Sequence, residues 1–143
     1  MDGYIFYLNP LQRFTSNELW DRLVEKNEPM IAMRTVSGGD VHRLRDVPGA
    51  AWKPYLQERA TEVAPIFERS GVKSWTTFCV RFAHSFPWVH ASIGSTSHPD
   101  RLKEFLDAAL NIQPLPEEIM SEIMTLQRRW SDEVDMKAEL WSM

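Results

Sequence analysis

Three short apolar runs, each followed by a segment with helical periodicity, constrain this chain more than any other feature. Residues 4–8 (YIFYL), 30–36 (MIAMRTV) and 88–93 (WVHASI) have the length and the β-branched and aromatic content of buried strands. No hairpin signal joins any two of them. Strands that alternate with helices pair in parallel through helical crossovers and are buried on both faces, so the expected class is α/β. Three strands are few for such an architecture. A three-stranded parallel sheet leaves two apolar edges open, and open edges invite pairing with another chain.

The intervening segments read as helices with recognisable ends. Asn9-Pro10 ends the first strand in a turn, Thr15 and Glu18 form a capping-box pair, and Leu19, Trp20, Leu23 and Val24 share one apolar face before Asn27 and Pro29. Residues 40–53 read as an exposed loop. Residues 55–70 are helical by pattern, with Leu56, Val63, Ile66 and Phe67 inward, Pro65 expected to kink or divide the helix, and Gly71 as its stop. Ser74 caps the next helix, which Pro87 ends. Residues 99–110 carry Leu102, Phe105, Leu106 and Ala109 on the expected inward face, residues 116–130 form the last clear helix, and a polar tail with Trp141 follows.

Composition excludes several function classes. At 143 residues the chain suffices for one domain, and 16 basic against 20 acidic residues give no electrostatic case for nucleic acid. The basic clusters at residues 42–45 and 128–129 read as solvated surface. Cys79 is the only cysteine and falls in an apolar helical stretch, so it reads as a buried structural thiol. No window approaches the roughly 20 apolar residues of a membrane span, and the start lacks the pattern of a secretory signal, so the expectation is a cytoplasmic protein without a membrane partner. His42, His84, His90 and His98 do not stand at metal-ligand spacing, and His84 and His90 read as structural histidines. No Ser/His/Asp arrangement follows from spacing.

The pointed chemistry lies in the loops after the second and third strands. The third strand runs through Gly94, Ser95, Thr96 and Ser97 into a helix whose first turn holds Pro99 and Arg101. A helix N-terminus presents unpaired N–H groups and a favourable dipole to an anion, the hydroxyls add donors, and a glycine admits close backbone approach. The second strand ends in Arg34, Ser37, Gly38 and Gly39. In parallel α/β proteins ligands sit beyond the C-terminal strand ends, so Arg34 is a candidate to face the same anion; the alternative is an arginine held by a partner at the strand end.

Taken in order, these segments resemble the C-terminal part of the aldo/keto reductases, NAD(P)-dependent (β/α)8 barrels. IAMRTVSGG is similar to that family's seventh barrel strand and loop, VRFAHSFPWV to its approach to the eighth strand, IGSTSHPDRLKEF to its eighth-strand cofactor signature, and LPEEIMSEIMTLQRRW to its closing helix. YIFYLNPLQR would be the sixth strand. The resemblance implies a partial TIM barrel of about three parallel strands with flanking helices, forming a single domain. It implies that Gly94, Ser95, Thr96 and Ser97 approach the adenosine-side phosphate or ribose, that Arg101 stacks on adenine or pairs with a 2′-phosphate, and that Glu104 is the acidic residue near the adenine. Arg34, Ser37 and Gly38 would lie along the pyrophosphate and nicotinamide.

The sequence departs from the family at Ser95, where a lysine is frequent, at Phe105 in place of an asparagine, at Ile5 in place of a glutamine, and at Met33 in place of an aromatic residue. NAD and NADP both stand as the implied cofactor. No residue here matches the family's proton donor, and 143 residues cannot close eight strands. The expectation is therefore the C-terminal cofactor-binding portion of an oxidoreductase acting on carbonyl or sugar substrates, inactive as an isolated chain: a gene fragment, a split enzyme completed by a separate N-terminal half-barrel, or a truncated piece of the whole barrel. The alternative is a non-catalytic remnant acting as an interaction or oligomerisation module through self-association.

Overall fold

The computed structural model describes residues 3–13, 15–36, 54–94 and 96–136. The elements follow in the order β1 (Tyr4–Asn9), β2 (Gln12–Arg13), α1 (Asn17–Glu25), β3 (Met30–Met33), α2 (Pro54–Arg69), α3 (Trp75–His84), β4 (Val89–Ile93), α4 (Pro99–Leu110) and α5 (Glu117–Met136). The sheet order is β2-β1-β3-β4, in which β1, β3 and β4 run parallel. The parallel expectation holds for these three strands. The fourth strand corrects the absence of a hairpin: β2 pairs antiparallel with β1 over Leu8↔Arg13 and Asn9↔Gln12. The Asn9 side chain makes this tight return possible, because its Oδ1 accepts from Leu11 N at 2.9 Å.

Register divides the sheet into two unlike faces. Ile5, Ile31 and Ala91 form one row across β1, β3 and β4, and Tyr7, Met33 and Ile93 form the next. At alternate positions along the strands, Leu8, Met30, Ala32 and Val89 join the buried core with Trp20, Val63, Phe78 and Phe82 from the helices. Trp20 meets Phe6, Phe86 and Trp88 edge-on, with ring centroids 6.0, 5.2 and 6.2 Å apart. The rows on the other face lie outside this core, with Ile5 57% and Ile93 48% exposed. A parallel sheet is ordinarily covered on both faces. Here the described helices cover one.

Several local expectations are corrected. Ser16, not Thr15, caps α1: its side chain accepts from Leu19 N, while Thr15 is buried and its hydroxyl has no hydrogen-bond partner among the described residues. Pro65 does not divide α2, which continues to Arg69. Helix α5 extends through Met136, beyond the expected end at residue 130, and Arg129 and Glu133 form an i,i+4 ion pair in this extension. Helix α4 has the expected bounds and the wrong inward face. Leu102, Leu106 and Ala109 are exposed, whereas Phe105 is half-buried beside Gly94 and Ala108 is buried where α4 packs on α3.

Ser74 caps α3 as expected, accepting from Thr77 N at 3.2 Å, and Cys79 is buried. The arginines at 128 and 129 are surface groups with partners, Arg128 on Asp21 and Arg129 on Glu62. No helix among the described residues is long and apolar enough to cross a membrane.

Candidate functional site at the C-terminal strand ends

Parallel pairing brings the two loop starts to one place. Tyr7, Met33 and Ile93 are in register, so Arg34 and Gly94 leave adjacent strands side by side at the C-terminal end of the sheet. Ser37, Gly38 and Ser95 lie outside the described residues.

Arg34 is held in an unusual backbone state. Its φ of 48° is left-handed, a conformation that costs a non-glycine residue roughly 1–2 kcal/mol. The buried Asn9 fixes it there, donating from Nδ2 to the Arg34 carbonyl at 3.0 Å and to Gln12 Oε1 at 3.3 Å. Gln127 from α5 donates to the Asn9 carbonyl at 2.9 Å, tying the same strand end to the closing helix. The Arg34 guanidinium lies 4.7 Å from the centroid of the Tyr7 ring, an exposed cation over an aromatic face, with no carboxylate ion-paired to it among the described residues.

The turn before α4 is exposed from Thr96 to Arg101. Thr96 Oγ1 accepts from His98 N at 3.1 Å, which closes the turn and leaves the hydroxyl hydrogen free to donate. His98 is the N-cap of α4 but makes no side-chain cap bond, and Pro99 follows at the first helical position. The helix therefore starts with backbone donors that its N-cap side chain does not satisfy. Asp100 in the same turn partly balances the dipole.

Two of the sequence-derived residues have structural work of their own. A Cβ on Gly94 would stand 3.1 Å from the tip of the Phe105 ring, so the glycine makes room for that ring. Glu104 accepts a hydrogen bond from Ser74, the cap of α3, and so joins α4 to α3 instead of facing the strand ends. It also lines a groove of about 330 Å³ between these helices with Thr77, Asp100, Lys103, Asp107, Ala108 and Asn111. Three carboxylates against one lysine make that groove a poor place for a phosphate.

Sequence reasoning missed Asn9 and Arg13. Arg13 is 5% exposed, its guanidinium lies 4.9 Å from the centroid of the Trp20 ring, and it hydrogen-bonds Asn17. Its Nε and one terminal nitrogen have no hydrogen-bond partner among the described residues, and burial, followed by the positive charge of Arg128, pushes its pKa down to about 10. His84 meets Ser92 at 2.7 Å through Nε2, and burial lowers its pKa. No group of three His, Cys, Asp or Glu among the described residues could hold a metal ion. No protein-family model matches the chain, and no curated protein does.

Proposed function

We propose that this chain is the C-terminal, cofactor-binding portion of an aldo/keto reductase-like oxidoreductase, a partial (β/α)8 barrel that binds NADP or NAD and serves carbonyl or sugar substrates. The observation that carries the reading is the placement of Arg34 and the turn before α4 together at the C-terminal end of three parallel strands, in the order the family resemblance requires. The one-sided sheet supports it as well. Helices on one face and apolar rows on the other are what a section of barrel wall presents before its interior is filled.

The residues fit the phosphate-bearing part of such a cofactor. Arg34 supplies an exposed cation with no ion pair among the described residues, Thr96 and Ser97 supply hydroxyls, and α4 supplies N–H groups that its N-cap side chain leaves uncapped, beside Arg101. Ser37, Gly38 and Ser95 join them on the resemblance alone. The fit does not extend to Glu104, whose carboxylate is taken by Ser74. When bound, a nicotinamide cofactor supplies the hydride; this chain's part is to hold its phosphates and orient it. The resemblance assigns protonation of the substrate oxygen to residues that this sequence does not contain, so the part it gives the residues described here is to hold and orient the cofactor.

The bare apolar sheet face favours a second reading, a non-catalytic module that buries this face against a partner. NADPH titration followed by fluorescence and thermal shift separates the two. The cofactor reading expects saturable binding that Arg34→Ala and Arg101→Ala weaken. It fails if neither the chain alone nor the chain mixed with an N-terminal half-barrel responds to NADPH or NADH.

A further inference from the structure

Unsatisfied polar atoms gather at one junction of the fold. Six buried side-chain polar atoms have no hydrogen-bond partner among the described residues, and five of them belong to Arg13, Thr15, Gln127 and Ser131: Arg13 Nε and one terminal nitrogen, Thr15 Oγ1, Gln127 Oε1 and Ser131 Oγ. They meet where the C-terminal half of α5 packs on the β1–β2 return and the start of α1. Arg13 hydrogen-bonds the Asn17 side chain, which donates in turn to the Arg128 carbonyl at 3.1 Å and to Asp132 at 2.7 Å, and Gln127 and Ser131 stand four apart on α5. Each unpartnered atom opposes this packing, because water would satisfy it on opening. The ion pairs that hold the same half of α5, Arg128 to Asp21 and Arg129 to Glu62, are solvent-exposed and weak by comparison.

We propose that α5 from Gln127 onward is a latch that opens as a unit before the rest of the fold, and that its opening frees the β1–β2 return that sets Arg34. Three contacts carry the link. Gln127 Nε2 donates to the Asn9 carbonyl at 2.9 Å and reaches the Pro10 carbonyl at 3.4 Å. Arg59 donates to the Leu11 carbonyl at 3.1 Å while its guanidinium lies 4.7 Å from the centroid of the Trp130 ring, so a residue of α5 braces that bond as well. The Asn9 side chain, in the same return, holds the carbonyl of the left-handed Arg34 at 3.0 Å. Opening removes the Gln127 bonds and the Trp130 brace, admits water to the five unpartnered atoms and loosens the support under Arg34. Latch and arginine are then reciprocally coupled: whatever favours Arg34 in its present state favours the closed latch, and closure favours that state of Arg34.

The latch is a property of the ligand-free chain, so it holds or fails apart from the cofactor reading. Where that reading holds, closure of α5 fixes the cation offered to the phosphates.

The test is native-state hydrogen exchange of the full, ligand-free chain, read amide by amide by NMR in low concentrations of urea. The amides of Trp130 to Glu133 are expected to exchange at least about tenfold faster than those of β3 and α3, corrected for intrinsic rates, and with a shallower urea dependence. The Leu11 amide, buried and bonded to Asn9 Oδ1, is expected to exchange with the α5 set. Val89→Ala lies in β4, at the opposite edge of the sheet from β2. It should speed exchange in β3 and α3 and leave the α5 and Leu11 rates unchanged, because the latch opens without exposing Val89. If that variant does not fold, the urea dependence of the wild type decides. Arg13→Met removes two of the five unpartnered atoms and should slow the α5 and Leu11 amides about fivefold. The proposal is overturned if α5 exchanges with the rate and urea dependence of β3, if Val89→Ala speeds α5 as much as β3, or if Arg13→Met fails to slow α5. A Leu11 amide that exchanges with β3 would break the link to Arg34.

Discussion

Replacing Arg13 by methionine is expected to stabilise the protein. The guanidinium is 5% exposed, and a pKa lowered to about 10 corresponds to about 3 kcal/mol against the charged form relative to an arginine in water. Two favourable contacts oppose that cost. The stacking on Trp20 contributes about 1 kcal/mol and the hydrogen bond to Asn17 about another 1 kcal/mol, while Nε and one terminal nitrogen make no hydrogen bond.

Methionine keeps a comparable volume against Trp20 and brings no charge to bury. The balance is a gain of about 1 kcal/mol, or a rise of about 3 °C in melting temperature for a domain of this size. Urea unfolding followed by tryptophan fluorescence gives the difference directly. A loss of about 2 kcal/mol or more for Arg13→Met would refute the reasoning, because it would mean that the charge is compensated in solution by a group that the contacts of Arg13 do not include.

Asn9→Ala should cost about 2–3 kcal/mol, because it orphans Leu11 N and the Arg34 carbonyl at a buried strand end; a cost under 0.5 kcal/mol in the same unfolding assay would contradict the role given to Asn9. His84 gives a pH dependence of known sign. Its folded pKa is lowered, so below about 6.5 the unfolded chain binds more protons and stability falls, whereas above that value the contribution is fully present. Comparing melting temperatures at pH 8 and pH 5 for wild type and His84→Asn should show a smaller drop in the variant; equal drops would remove His84 as a source. Trp20→Ala should cost about 3–5 kcal/mol through the loss of contacts with Phe6, Phe86 and Trp88, measured by calorimetry against the wild type.

The strands and most helix bounds were legible because they depend on local chemistry. The sequence reading and the structure agree on α4 from Pro99 to Leu110, and the apolar run that begins at Met30 forms the expected strand. What failed depended on partners. The leucine row of α4 carries a valid helical signal for burial, but periodicity says that a face needs cover and does not say which chain provides it.

Thr15 and Glu18 match a capping box, yet the backbone turns one residue later and Ser16 takes the cap, a difference fixed by the β1–β2 return. At the site, the common end of Arg34 and Gly94 followed from parallel order. The engagement of Glu104 by Ser74 did not, because it joins residues 30 apart across two helices. Arg13 carried no signal, since nothing in the sequence marks an arginine for stacking on Trp20.

The central claim is that the C-terminal strand ends hold the phosphates of a nicotinamide cofactor. Amide chemical-shift mapping during NADPH titration tests it most directly. The account predicts saturable shifts concentrated at Arg34, Gly94 and the backbone from Thr96 to Arg101. Shifts absent at saturating cofactor, or confined to the groove around Lys103 and Asp107, would contradict it.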